Sequence, residues 1–251
     1  MSRKTELLTT AQKRLADLNY YTVEVDGIEG PATNAAITEF KRNNHLRPRP
    51  LVGPLTLARL MSDKAIAAPA FEPPVVEGHA EAPPWLVKAY GYLGLKEIPG
   101  RNHNDKIVDW WEALGLHFRD DETPWCAGFA NRMVQMAGYP IPAKYRAAAL
   151  GWRWTGHGVK LRGPALGAIM TMTRPGRAGS GHKTFVAGRD RQGRIMGLGG
   201  NQGNAVSINP YHPTARDAQY HFPPGYPPPS AFGVNALPLI SSAGKPLTNE
   251  A

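Results

Sequence analysis

The 251-residue chain contains a single cysteine, Cys126. No intramolecular disulfide can form, and a structural zinc site built on several thiolates is excluded. Long apolar runs are also missing, because nothing approaches the roughly 18 apolar residues that a membrane span needs. The opening Met1-Ser-Arg-Lys-Thr-Glu leads into alternating polar and apolar residues, with no apolar core of signal-peptide length, so Sec export is not expected. The eight histidines show no HExxH or similar spacing, and neither a metal nor another cofactor is expected.

Basic residues outnumber acidic ones by 29 to 20, giving a net charge of +9 spread along the chain. Such a field favours a polyanionic partner without selecting among nucleic acid, an anionic membrane surface and a bacterial wall bearing carboxylates and phosphates.

Leu7, Leu8, Ala11, Leu15 and Leu18 recur at helical spacing, with Thr9, Thr10, Gln12, Lys13 and Arg14 on the other faces. Val25-Asp26-Gly27-Ile28-Glu29-Gly30 is a turn signal, and Pro31 suits the first turn of a helix that carries Ala35, Ala36, Ile37 and Phe40 to the basic pair Lys41-Arg42. Gly53-Pro54-Leu55-Thr56 repeats the order Gly30-Pro31-Ala32-Thr33, again ahead of an apolar helix. A proline- and alanine-rich stretch follows over 63–84, where an extended spacer is expected. A second domain spans 85–222, and a proline-rich, loosely ordered tail is expected over 223–251.

The first domain, a three-helix unit over 1–62, resembles the peptidoglycan-binding domain of many wall hydrolases across about residues 5–62. That resemblance implies contact with the wall at Asp26, Gly27, Gly30 and Thr33.

In the second domain, Thr123 and Pro124 read as the N-cap and first residue of a helix carrying Phe129, Met133, Met136 and Ala137 on its apolar stripe. Cys126 then falls in the first turn, where unpaired amides and the helix dipole favour a thiolate. A lone cysteine is more often a small buried hydrophobe, so the residues around it have to decide. Ser180-Gly181-His182 opens a strand that runs to Ala187; a polar turn and a second strand, Arg194 to Leu198, lead into Gly199-Gly200-Asn201-Gln202. Pairing Ala187 with Arg194 brings His182 toward residues 199–201. An imidazole held between a thiol and a fixed polar acceptor is the arrangement that cysteine nucleophiles use. Asn201 can supply the acceptor, and Gln202 offers the same amide on the opposite face of a strand. Adjacent acids Asp120–Glu122 are explained by the dipole of the helix that follows, and most of Trp110, Trp111, Trp152 and Trp154 are expected in the core.

Trp125-Cys126 at a helix start, Gly-His at a strand start and Gly-Gly-Asn-Gln after the next strand resemble the papain-like NlpC/P60 and CHAP amidases, most closely the CHAP-like group of phage endolysins, over about residues 85–222. The resemblance implies an α+β papain-like catalytic domain after the small three-helix one, with Cys126, His182 and Asn201 catalytic and Trp125, Glu122 and Gln202 contacting substrate. It further implies a peptidoglycan hydrolase without cofactor, cutting either the muramoyl–L-alanine bond or a bond of the stem peptide. Such a protein waits in the host cytoplasm before lysis, is a monomer, and engages neither nucleic acid nor the membrane interior. The alternative is a non-catalytic wall-binding or phage structural protein that keeps the fold.

Overall fold

The computed structural model describes residues 2–21, 25–68, 82–100, 102–174, 176–214, 217–227, 229–241 and 244. The chain divides into two compact units, Met1–Glu72 and Pro73–Ala251. Their boundary falls inside the stretch 63–84 expected to be a spacer.

The first unit is helical. α1 (Arg3–Asp17) starts at Ser2, whose hydroxyl accepts from the Thr5 amide at 3.2 Å. α2 (Pro31–Asn43) and α3 (Pro54–Leu60) each start at a glycine in extended conformation followed by proline in the first turn. Proline costs nothing there because its missing N–H would have no helical acceptor. Leu8, Ala11 and Leu15 of α1 are buried, as are Ile37 and Phe40 of α2 and Leu60 of α3. The first residues after the expected domain end are not extended. Asn44 brackets Ile66, its Oδ1 accepting from the Ile66 amide at 2.8 Å and its Nδ2 donating to the Ile66 carbonyl at 3.0 Å. The Ala68 amide donates to the Leu18 carbonyl. These bonds satisfy backbone groups that an extended spacer would leave to water, so 63–68 belong to the first unit. Residues 69–81 lie outside the described residues.

The second unit places four helices ahead of one antiparallel sheet. The helices are α4 (Pro84–Tyr90), α5 (Asp105–Ala113), α6 (Cys126–Met136) and α7 (Gly151–Thr155). The strands are β1 (Val159–Leu161), β2 (Ile169–Thr173), β3 (Gly181–Arg189), β4 (Ile195–Gly199), β5 (Ser207–Tyr211) and β6 (Gln219–Phe222), in the spatial order β1-β6-β2-β3-β4-β5. α4 and α5 pack on α6, and α6 packs on β3 at the middle of the sheet. The protein is therefore α+β, with helices leading and an antiparallel sheet following.

The expected β3–β4 hairpin is present in a different register. β3 runs on to Arg189, which pairs with Ile195, and a bulge between Val186 and Gly188 shifts the remainder so that Phe185 faces Leu198. Pairing of Ala187 with Arg194 does not occur, because the turn closes later along β3, where the Asp190 amide donates to the Arg194 carbonyl, and the bulge then shifts the register by one residue more.

The stretch from 223 onward was expected to be a loose tail, but it joins the core at Tyr226 and again at 237–240. Tyr226 packs edge-on against Trp85, Tyr139 and Phe222, and Leu237, Leu239 and Ile240 are buried. The Arg189 amide donates to the Pro238 carbonyl, and the Ile240 amide to the Arg189 carbonyl. Gly188 permits this approach, since a Cβ there would stand 2.6 Å from the Pro238 carbonyl oxygen. Proline abundance and weak periodicity hid a segment that packs by a few large side chains.

Candidate functional site

α6 begins at Cys126, two residues later than expected. Trp125 is its N-cap residue, and the first helical bond runs from the Phe129 amide to the Trp125 carbonyl. The Thr123 amide instead donates to the Asp120 carboxylate, so Thr123 belongs to the preceding turn and does not cap α6. Cys126 is thus the first helical residue, and the amides of Cys126, Ala127 and Gly128 have no acceptor within the helix. The cysteine is only 5% exposed.

Burial raises the thiol pKa of Cys126. It is overcome by hydrogen bonding and charge from His182, by the Lys183 amide and by the Lys183 charge, so the net shift is downward. A cysteine alone among apolar neighbours would shift upward.

His182 Nε2 lies 3.0 Å from Gln202 Oε1. The Gln202 amide is oriented unambiguously, because its Nε2 donates to the Ser207 carbonyl at 2.6 Å and the Gly197 carbonyl at 3.2 Å. Its Oε1 therefore faces the imidazole and also accepts from the Tyr211 hydroxyl at 2.5 Å. An amide oxygen has no proton to give, so His182 carries its proton on Nε2 and Nδ1 is left as the free lone pair. Burial raises the Tyr211 pKa, with the Cys126 charge adding to it, and this keeps the phenol a donor.

The acceptor for His182 is accordingly Gln202, where Asn201 had been preferred. Asn201 has a φ of +54°, so the chain leaves the extended line of β4 at this residue and the strand alternation stops. Gly200 makes the approach possible, for a Cβ on it would lie 2.4 Å from the Trp125 ring. Gln202, expected to contact substrate, is committed to His182 and is buried.

A cavity of about 540 Å³ is lined by Met172, Arg174, His182, Asn201, Gln202 and Tyr211 among others. A second, of about 470 Å³, is lined by Glu97, Pro99, Glu122, Pro124, Arg174 and Asn201 among others. Arg174 and Asn201 border both, so a cleft approaches the imidazole from one side and the residues leading into α6 from the other. Glu122 is exposed in the second cavity, as a substrate contact requires. Trp125 is not so placed: fully buried beside Trp110 and Phe129, it donates its indole N–H to Glu97 at 2.7 Å and so positions that carboxylate.

Of the acids before α6, Asp120 and Asp121 are held by nearer donors. Asp121 is buried and accepts from the Ile98 and Asn104 amides at 2.8 Å each, and its other oxygen lies 3.0 Å from His103 Nδ1. It ties the 98–104 loop, which carries part of the second cavity. Among the described residues, no group of three or more His, Cys, Asp or Glu could hold a metal. No described helix is long and apolar enough to cross a membrane.

In the first unit the residues expected at the wall are drawn inward by Gln12, which is fully buried. Its Oε1 accepts from the Gly27 amide at 2.7 Å and the Asp26 amide at 3.1 Å, and its Nε2 lies 2.9 Å from both Asp26 Oδ1 and Thr33 Oγ1. Thr33 donates to the Ile28 carbonyl. Asp26, Gly27 and Thr33 thus shape the loop, and Gly30 is the N-cap of α2. Gln12 was set among the outward polar residues, yet its spacing from Leu8 and Leu15 places it on the buried stripe.

A search of curated proteins and of solved structures returns no match. Residues 4–60 match the family model described as a putative peptidoglycan binding domain, which supports an N-terminal peptidoglycan-binding domain over the first unit.

Proposed function

We propose that the protein is a cysteine-dependent peptidoglycan hydrolase, an endolysin of the papain-like CHAP/NlpC-P60 kind whose catalytic unit is brought to its substrate by the N-terminal domain. The observation that carries the reading is the chain Cys126–His182–Gln202, in which the amide orientation alone dictates the imidazole tautomer.

The thiolate of Cys126 attacks the carbonyl carbon of a wall amide, and the amides at the start of α6, which have no acceptor within the helix, serve as donors for the oxyanion. His182, holding the thiol proton on Nδ1, passes it to the leaving amine as the C–N bond breaks, which leaves a thioester. Water then attacks the thioester with its proton going to the same nitrogen, releasing a carboxylate and restoring the thiol. Gln202 holds the ring throughout. The bond cut is the muramoyl–L-alanine amide or one in the stem peptide. The binding domain contributes by raising local concentration, an effect that needs no contact at the active site. As an endolysin the protein waits in the host cytoplasm and reaches the wall once the membrane is opened.

The test is mass spectrometry of soluble fragments released from purified peptidoglycan by the wild type and by Cys126→Ala. Release by the wild type alone supports the hydrolase and identifies the bond from the new termini. Equal release by both, or by neither, sinks it and leaves a wall-binding protein that keeps the fold.

A further inference from the structure

Lys183 follows His182 on β3, and its side chain faces the opposite way, on the same side of the sheet as Phe185, which meets Phe129 of α6. It is fully buried, at 0% exposure. Among the described residues its Nζ has one acceptor, Asn131 Oδ1 at 3.3 Å, and that oxygen already accepts from Trp152 Nε1 at 2.8 Å. Asn131 cannot turn to improve the bond, because its Nδ2 donates to the Arg146 carbonyl at 2.7 Å.

A buried ammonium with a single shared acceptor is costly unless an anion stands near it. Among the described residues no carboxylate forms an ion pair with Lys183. Arg153 bonds to Thr171, which pairs with Lys183 across β2, and to Asp217. His221, on the same face of the sheet, is kept neutral by burial and by the cations around it, with its pKa pushed down to about 4. His182 is itself a base. The one anion that can form beside Lys183 is the Cys126 thiolate. Burial pushes the lysine down to about 7, and the cysteine is the charge that opposes the fall. The lysine's own backbone amide also bonds to the cysteine.

We propose that Lys183 is a positioning residue for the nucleophile, its sealed ammonium acting with His182 as a second counter-charge to the Cys126 thiolate. This rests on reading Cys126 as the nucleophile. Thiolate and ammonium then form together, and removing the imidazole does not abolish the thiolate.

The experiment is the pH dependence of iodoacetamide alkylation at Cys126, the only cysteine, in the full-length wild type, Lys183→Met and His182→Gln. Lys183→Met is expected to raise the alkylation midpoint by about one pH unit, about a tenfold fall in the ratio of thiolate to thiol at a given pH. On soluble wall fragments, the pH profile of kcat/KM shifts upward by the same amount with KM unchanged. His182→Gln is expected to keep a midpoint below the ordinary thiol value. A folded Lys183→Met with the wild-type profile overturns the proposal. So does a His182→Gln midpoint at or above the ordinary value, which decides the matter if Lys183→Met does not fold. The expected alkylation profiles in a wild type that releases no wall fragments leave the lysine's role standing and remove the hydrolase. Cys126-dependent release with an unmoved profile does the reverse.

Discussion

Two buried glutamines organise the two units, and they are used to different ends. Gln12 spends both its oxygen and its nitrogen on the 26–33 loop, where every partner is part of the scaffold. Gln202 spends its nitrogen on two backbone carbonyls and presents its oxygen to His182, which lines a cavity. An amide whose partners are all scaffold makes a rigid loop, whereas one anchored by its nitrogen and meeting an imidazole with its oxygen holds a reactive group in one tautomer. The chemistry of the side chain is the same, and what its partners do decides its role.

The largest break in this comparison is Gln202→Leu. It removes the acceptor that places the His182 proton, and kcat/KM on wall fragments is expected to fall by roughly 10²–10³-fold, with KM little changed. Asn201→Gly is its control, because glycine keeps the left-handed backbone that places Gln202, and a loss of no more than about threefold is expected. Comparable losses in the two variants would return the role to Asn201.

Gln12→Leu tests the other side. It strands the Asp26 and Gly27 amides, and a loss of about 2–4 kcal/mol in the stability of the first unit is expected from two unsatisfied buried donors. Thermal unfolding followed by circular dichroism reads that loss, while the alkylation rate of Cys126 should not change.

A third buried polar group sharpens the contrast, since His221 is buried without being saturated. Among the described residues its Nδ1 has no partner, and its pKa lies at about 4 against an ordinary 6.5 because of burial first and nearby Lys160 and Arg153 next. The folded-state value is the lower one, so the unfolded chain takes up the proton first as pH falls. Stability is therefore complete above about pH 6.5 and declines toward pH 4, by up to about 3 kcal/mol. His221→Phe should flatten this part of the melting-temperature profile. An unchanged slope between pH 6.5 and 4 would assign the loss to another group, since Asp121, with its carboxylate held below 3.8, gives up its stabilising bonds only at more acid pH.

Much of the site was legible where it depended on neighbours in sequence. Cys126 at a helix start and His182 at a strand start both follow from local pattern, because caps, prolines and alternation act over a few residues. Lys183 left a trace too, as a charge in line with Phe185 and Ala187 on one strand face. Trp125 was misjudged since its indole body and its N–H face different surroundings, one the core and the other Glu97.

The sequence by itself determined that helices lead and a sheet follows, where two helices begin by glycine and proline, and that one cysteine and one histidine stand at the ends of their elements. Tertiary structure alone decided that Gln202 and not Asn201 meets the imidazole, that Gln12 turns Asp26 and Thr33 inward, and that the proline-rich end packs on the core at Tyr226 and 237–240. Each of those outcomes hangs on a left-handed residue or a contact between distant segments, and local periodicity carries no information about any of them.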